Sequence, residues 1–125
     1  KTIIIAWDGS MEAARAVHSA RPILQAAQSV RVVLVDPVAG DAGQGGEPGA
    51  DIAAYLARLE VPVTVDRLPS GGKPVADVLI QHARDHAAEM IVMGAYGHSR
   101  LRERIFGGVT RSMLNGVQVP LFMAH

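Results

Sequence analysis

Five short apolar runs rich in β-branched residues recur along the chain, and helix-patterned segments separate them. The runs are KTIIIAW (Lys1–Trp7), VRVVLV (Val30–Val35), VPVTVDRL (Val61–Leu68), EMIVMG (Glu89–Gly94) and VPLFMA (Val119–Ala124). Near-continuous apolar character, rather than strict alternation, marks strands covered on both faces, as in a parallel sheet. Between the first two, Met11–Gln28 carries Val17, Ala20, Leu24 and Ala27 at helical spacing. Ser10 suits its N-cap, and Pro22 is expected to kink it by removing one backbone donor. A second helix is expected from about Ala50 to Leu59. A third runs over Val75–Ala88, with Ala76, Leu79, Ile80, Ala83 and Ala87 on one face and Pro74 suited to the first helical position. Gly108–Asn115 reads as a fourth. The expectation is one α/β domain over residues 1–125, a five-stranded doubly wound parallel sheet with helices on both faces and right-handed crossovers.

Composition removes several function classes. Lys plus Arg equals Asp plus Glu at twelve each, so no net field steers nucleic acid or a membrane surface to the chain. One Trp, two Tyr and two Phe are too few for a base-stacking platform. The absence of cysteine excludes disulfides and thiolate metal sites. No apolar run reaches the roughly 18 residues of a membrane span, and no signal-peptide pattern opens the sequence, so a cytoplasmic domain is expected. The chain begins at Lys1 rather than methionine, as expected after tag removal or for a domain of a longer polypeptide.

Chemistry concentrates in GAYGHSRLRERIFGGVTRS, Gly94 to Ser112. Ligands of doubly wound sheets bind beyond the carboxyl ends of the strands, near the point where strand order reverses. The fourth strand ends there at Met93, and Gly94 and Gly97 allow backbone N–H groups to approach a ligand. Gly107 and Gly108 open a helix, whose free N–H groups favour an anion. Asp8 closes the first strand on the same edge. Its carboxylate can accept from a ribose hydroxyl or an adenine amino group, or hold magnesium between phosphates. Together these parts describe a nucleotide site; the competing reading is that the glycines only permit two tight turns. His98 and Ser99 are expected beside the ligand, whereas Arg100, Arg102 and Arg104 are expected to face water or pair with Glu103. The five glycines of Gly40–Gly49 read as a surface loop, because Pro48 occupies the third position of a dinucleotide fingerprint.

Other signals carry less. HARDH (His82–His86) places two imidazoles four apart on a helix, the spacing of zinc ligands. No third ligand is evident and no Glu follows the first His, so a structural role near the helix C-terminus is expected. Ser99, His98 and Asp8 lack the G-x-S-x-G nucleophile elbow of a hydrolase. No general base stands near the phosphates of such a nucleotide, which leaves at most slow metal-dependent hydrolysis.

Gly94, two residues, Gly97, nine residues, Gly107 resembles the G-x2-G-x9-G signature of the universal stress protein family. AWDGS after the first strand, VDP after the second and VPLFM at the end extend the resemblance over nearly the whole chain. It implies a Rossmann-like, adenine nucleotide alpha hydrolase-like sheet of strand order 3-2-1-4-5. It further implies a homodimer that binds ATP, or AMP or another adenine nucleotide, with magnesium, and acts in stress responses as a sensor rather than a metabolic enzyme. Carried over by position, Asp8 meets sugar or base with Ala6 and Trp7 beside it. Leu34 or Val35 lines the adenine pocket. Met93, Gly94, Gly97, His98 and Ser99 flank the phosphates with Gly107, Gly108, Val109 and Thr110, and any magnesium reaches Asp8 only through the nucleotide. The signature's Ser or Thr is Gly108 here, which deletes a hydroxyl and about 1.5–3 kcal/mol of phosphate binding. An alternative is therefore a nucleotide-free dimerisation or protein-interaction module of the same fold. The family pairs through its last strand, so Val119–Ala124 is expected to join a second copy, or a sister domain if the chain is the second half of a tandem protein.

Overall fold

The computed structural model describes residues 1–37, 49–94 and 119–124. In chain order the elements are β1 (Thr2–Ala6), α1 (Met11–Ser19), α2 (Arg21–Gln25), β2 (Ser29–Val35), α3 (Ala50–Arg58), β3 (Val63–Leu68), α4 (Val75–Asp85), β4 (Ala88–Gly94) and β5 (Leu121–Ala124). The sheet has the order β3-β2-β1-β4-β5. All four strand pairs are parallel. This is the expected five-stranded Rossmann-like α/β architecture. The helix expected at 108–115 lies outside the described residues, as does most of the Gly-rich loop.

The central strands are apolar on both sides because both faces are covered. Ile3, Ile5, Val30, Val32, Leu34 and Val92 face α1, α2 and α3, whose Ala16, Val17, Leu24, Ile52 and Leu56 complete one core layer. Ile4, Ala6, Val33, Ile91 and Met93 face α4 through Ala76, Leu79 and Ala83. Each fully buried Ile or Leu contributes about 1.5–3 kcal/mol, and the helix alanines let the layers approach closely. Because successive residues of a strand alternate between layers, a one-residue register slip would invert the whole arrangement.

Several boundaries differ from the expected ones. Met11–Gln28 is two helices rather than one kinked helix. The break falls at Ala20 (φ −86°, ψ 2°), and Pro22 lies in the first turn of α2, where a missing N–H costs nothing. Ser10 does cap α1, its side chain accepting from the Ala13 N–H. Pro74 is the extended N-cap of α4 (φ −57°, ψ 143°), not its first helical residue. That helix stops at Asp85 because Ala87 turns left-handed (φ 50°) and reverses the chain into β4, one residue earlier than expected. Prolines delay two strands. Pro62 and Pro120 precede β3 and β5, and their carbonyls accept from the N–H groups of Val30 (2.8 Å) and Ile91 (3.0 Å). Gly49 caps α3 at φ 88°, where a Cβ would lie 2.9 Å from Leu34 Cδ1 and 3.0 Å from Val65 Cγ1.

Candidate functional site

The chain turns from β1 into α1 through Asp8, Gly9 and Ser10, and each residue has a mechanical reason. Asp8 Oδ1 accepts from the Ser10 N–H at 2.9 Å, closing a tight turn. Gly9 adopts φ 78°, which side-chain-bearing residues resist. Ser10 Oγ then accepts from the Ala13 N–H at 3.1 Å and starts α1. This turn holds the Asp8 carboxylate rigidly at the carboxyl end of β1. Its second oxygen, Oδ2, is buried and has no hydrogen-bond partner among the described residues. A buried acceptor left in that state costs about 1–3 kcal/mol.

The neighbouring β4 ends beside it. Ala6 pairs with Met93 across the sheet and with Val33 on the other side. The Trp7 N–H donates to the Val33 carbonyl at 2.9 Å. The chain winds from β1 to β2 and β3 on one side and to β4 and β5 on the other, so the reversal of strand order falls between β1 and β4. Asp8 and Gly94 sit at that crevice, the usual ligand position of open α/β sheets.

Gly94 has a reason that the sequence does not reveal. A Cβ there would stand 2.5 Å from the backbone nitrogen of Ala13 and 2.6 Å from the carbonyl carbon of Glu12. The first turn of α1 therefore lies directly on β4, and the glycine is required for packing whether or not a ligand approaches. Glu12, on that same turn, is 1% exposed. Sequence reasoning missed this carboxylate because a Glu in a first helical turn reads as a solvated charge.

The fold thus brings Ala6, Trp7, Asp8, Met93 and Gly94 to one edge. Ala6 and Met93 are buried under α4, while Trp7 is half-buried and packs on the opposite layer. Leu34 is 1% exposed inside the α1–α3 layer, and Val35 is half-buried on the α4 side. Gly97, His98, Ser99, Gly107, Gly108, Val109 and Thr110 lie outside the described residues, and so do Arg100, Arg102 and Arg104.

A second cluster of charged groups occupies the α4 face. Arg31 on β2 donates through Nη1 to both oxygens of Asp66 on β3, at 3.1 and 2.9 Å. His82 on α4 places Nε2 2.8 Å from Asp66 Oδ2. Burial raises the Asp66 pKa, but the His82 hydrogen bond and then the bond and charge of Arg31 outweigh it, and the net shift is downward. His86 follows one turn later, its ring 4.3 Å from that of His82 in an edge-to-face arrangement. No third ligand for this histidine pair is visible in the sequence; the fold brings a carboxylate, 16 residues before His82, into hydrogen-bond contact with it. At the carboxyl end of β2, Asp36 Oδ1 accepts from the Ser70 N–H at 2.9 Å. Bonds from Ser70 side chain and backbone lower the pKa of this exposed carboxyl. Among the described residues no helix is long and apolar enough to cross a membrane.

Comparison with known proteins agrees with this architecture. A family model described as the universal stress protein family matches residues 1–125. A curated universal stress protein of Synechocystis sp. is 31% identical over 45 residues, a stretch covering 36% of this chain and only 16% of that protein. A solved universal stress protein from Archaeoglobus fulgidus superimposes with a TM-score of 0.70 at 24% identity, covering 99% of this chain and 98% of the other. Another, a universal stress protein in complex with cAMP, gives a TM-score of 0.65 at 23% identity over 100% of this chain and 97% of its own.

Proposed function

The chain belongs to the universal stress protein family, and from that premise we propose that it binds an adenine nucleotide, ATP with magnesium foremost, at the crevice between β1 and β4. The observation that carries the proposal is the buried Asp8 Oδ2, an acceptor without a hydrogen-bond partner among the described residues, held by a rigid turn at the reversal of strand order. A ribose hydroxyl or adenine amino group would satisfy it, returning the cost of its burial as binding energy. The phosphates would lie against backbone N–H groups of Gly94, Gly97, Gly107 and Gly108, beside Met93, His98, Ser99, Val109 and Thr110. Ala6, Trp7 and either Leu34 or Val35 would border the base and sugar. Magnesium, when bound, would neutralise phosphate charge and reach Asp8 only through the nucleotide. A related universal stress protein has been solved with cAMP, which supports the adenine nucleotide class. The output on this reading is nucleotide-dependent regulation in a cytoplasmic homodimer joined through Val119–Ala124, with any ATP hydrolysis slow.

Two observations favour the second reading, a nucleotide-free dimerisation module. Gly108 replaces the hydroxyl residue of the signature, and β5 is the edge strand of the sheet among the described residues, the position at which a second sheet can pair. The deciding measurement is mass spectrometry of small molecules released on denaturing protein purified without added nucleotide. About one adenine nucleotide per chain, lost in Gly97→Val, is the expected result. An empty protein that also gives no heat with millimolar ATP would overturn nucleotide binding in favour of the dimerisation module.

A further inference from the structure

The HARDH motif, Asp66 and Arg31 meet on the α4 face, with Asp66 on β3, two strands away from the β1 end that carries Asp8. The last turn of α4 lies toward the amino ends of the strands, since only His86 and Ala87 separate it from the first residue of β4. We propose that Asp66, His82 and His86 form a site for one divalent first-row metal ion of the zinc type, independent of the nucleotide crevice.

Three features carry the assignment. One ligand atom from each of the three residues lies within 4.8 Å of the others, and all three residues are half-buried. A tetrahedral zinc with bonds of about 2.0 Å separates its ligands by about 3.3 Å, so closure requires movements of about 1.5 Å or less. His86, at the C-cap of α4 and outside the Asp66 hydrogen bonds, has the freedom to make them. The donor set of two imidazoles and a carboxylate suits zinc and leaves a fourth position for water. Finally, the site sits where the α4 carbonyls point outward, and that end of a helix favours a cation.

Arg31 does not occupy the metal's place. An ionised carboxylate offers about four acceptor positions, and Arg31 takes one on each oxygen of Asp66. It acts as the outer partner that fixes a ligating carboxylate. His82 Nε2 faces the remaining position on Oδ2. On metal uptake the ion takes the Nε2 lone pair, and in the neutral ring the proton resides on Nδ1. The hydrogen bond to Asp66 is thereby exchanged for two metal bonds, with both imidazoles neutral.

The test is titration of the tag-free chain with cobalt(II), then with zinc(II) in competition, at about pH 7.5 where unperturbed imidazoles are mostly neutral. The expected result is one cobalt per chain with the intense visible bands of a tetrahedral site, displaced by zinc. His86→Ala should weaken binding by at least about tenfold, the scale at which even outer partners of ligands matter. This variant leaves the Arg31–Asp66–His82 contacts in place, and circular dichroism would verify the fold. Asp66→Asn should weaken binding similarly, whereas His18→Ala, at an exposed position of α1, should not change it. Absence of tetrahedral bands in the unaltered chain would overturn the proposal. So would full binding retained in both folded His86→Ala and Asp66→Asn, which would locate the ligands elsewhere.

Discussion

Two carboxylates, Asp8 and Asp66, show opposite ways of placing a negative charge on one sheet. Asp66 stands within β3, and both its oxygens are engaged, by Arg31 on the neighbouring strand and His82 on the covering helix. Asp8 stands just past β1, one oxygen engaged by its own turn and the other buried without a hydrogen-bond partner among the described residues. A carboxylate bonded from two neighbouring elements ties them to its own strand. One that is half saturated by local backbone is held in position for something else. The difference lies in how each charge is compensated: Asp66 by neighbouring elements of the fold, Asp8 in part by its own turn, which is why the proposed nucleotide contact falls on Asp8.

The largest expected effect concerns the support of the Asp8 crevice. Gly94→Ala would press a methyl group onto the α1 backbone and lower stability by about 3 kcal/mol, the upper end of overpacking costs. Denaturant unfolding would measure it, and a loss below about 1 kcal/mol would mean that α1 can move off β4. Next, Asp8→Ala should weaken adenine nucleotide binding by roughly 10- to 150-fold, the equivalent of about 1.5–3 kcal/mol for a hydrogen bond to a charged group. Unchanged affinity in calorimetry would remove Asp8 from the site and with it the contrast between the two carboxylates.

The comparison is sharpest when the same conservative change is made twice. Asp66→Asn should lower stability by about 1–2 kcal/mol, a figure reduced for partial exposure of the ion pair. Asp8→Asn should leave stability unchanged or slightly higher, since it keeps the Ser10 bond and deletes a buried charge. Equal losses in the two variants would break the distinction. The smallest effect belongs to Asp36, a third carboxylate, exposed and bonded to Ser70. Its titration by NMR should fall below the ordinary 3.8 and return toward it in Ser70→Ala. Because the unfolded chain takes up this proton first, the bond's contribution is present above that value and fades as pH falls through the lower folded pKa.

Much of the fold was legible because its determinants are local. Ile3 to Ile5, Val32 to Val35 and Met90 to Met93 are continuous apolar runs, as expected of strands buried on both faces. The Asp8–Gly9–Ser10 turn was equally readable, since each residue acts within three positions of itself. Boundaries were less legible where two local rules compete. Pro22 permits either a kink or a fresh start, and packing of Ala20 and Leu24 into one layer decided for two helices. Ala87 carries no sequence mark of its left-handed turn, which α4 needs in order to enter β4.

By itself, the sequence determined the alternation of strands and helices, the caps and turns, and the glycine spacing that resembles a nucleotide site, because backbone propensity and side-chain period act over a few residues. Tertiary structure alone decided three things: that Gly94 is a packing glycine under α1, that Asp8 retains a buried oxygen without a hydrogen-bond partner among the described residues, and that Arg31 and Asp66, 35 residues apart, meet His82 on one face. Those outcomes depend on strand order and on a register that assigns alternate residues to opposite faces. Neither quantity is carried by any local pattern.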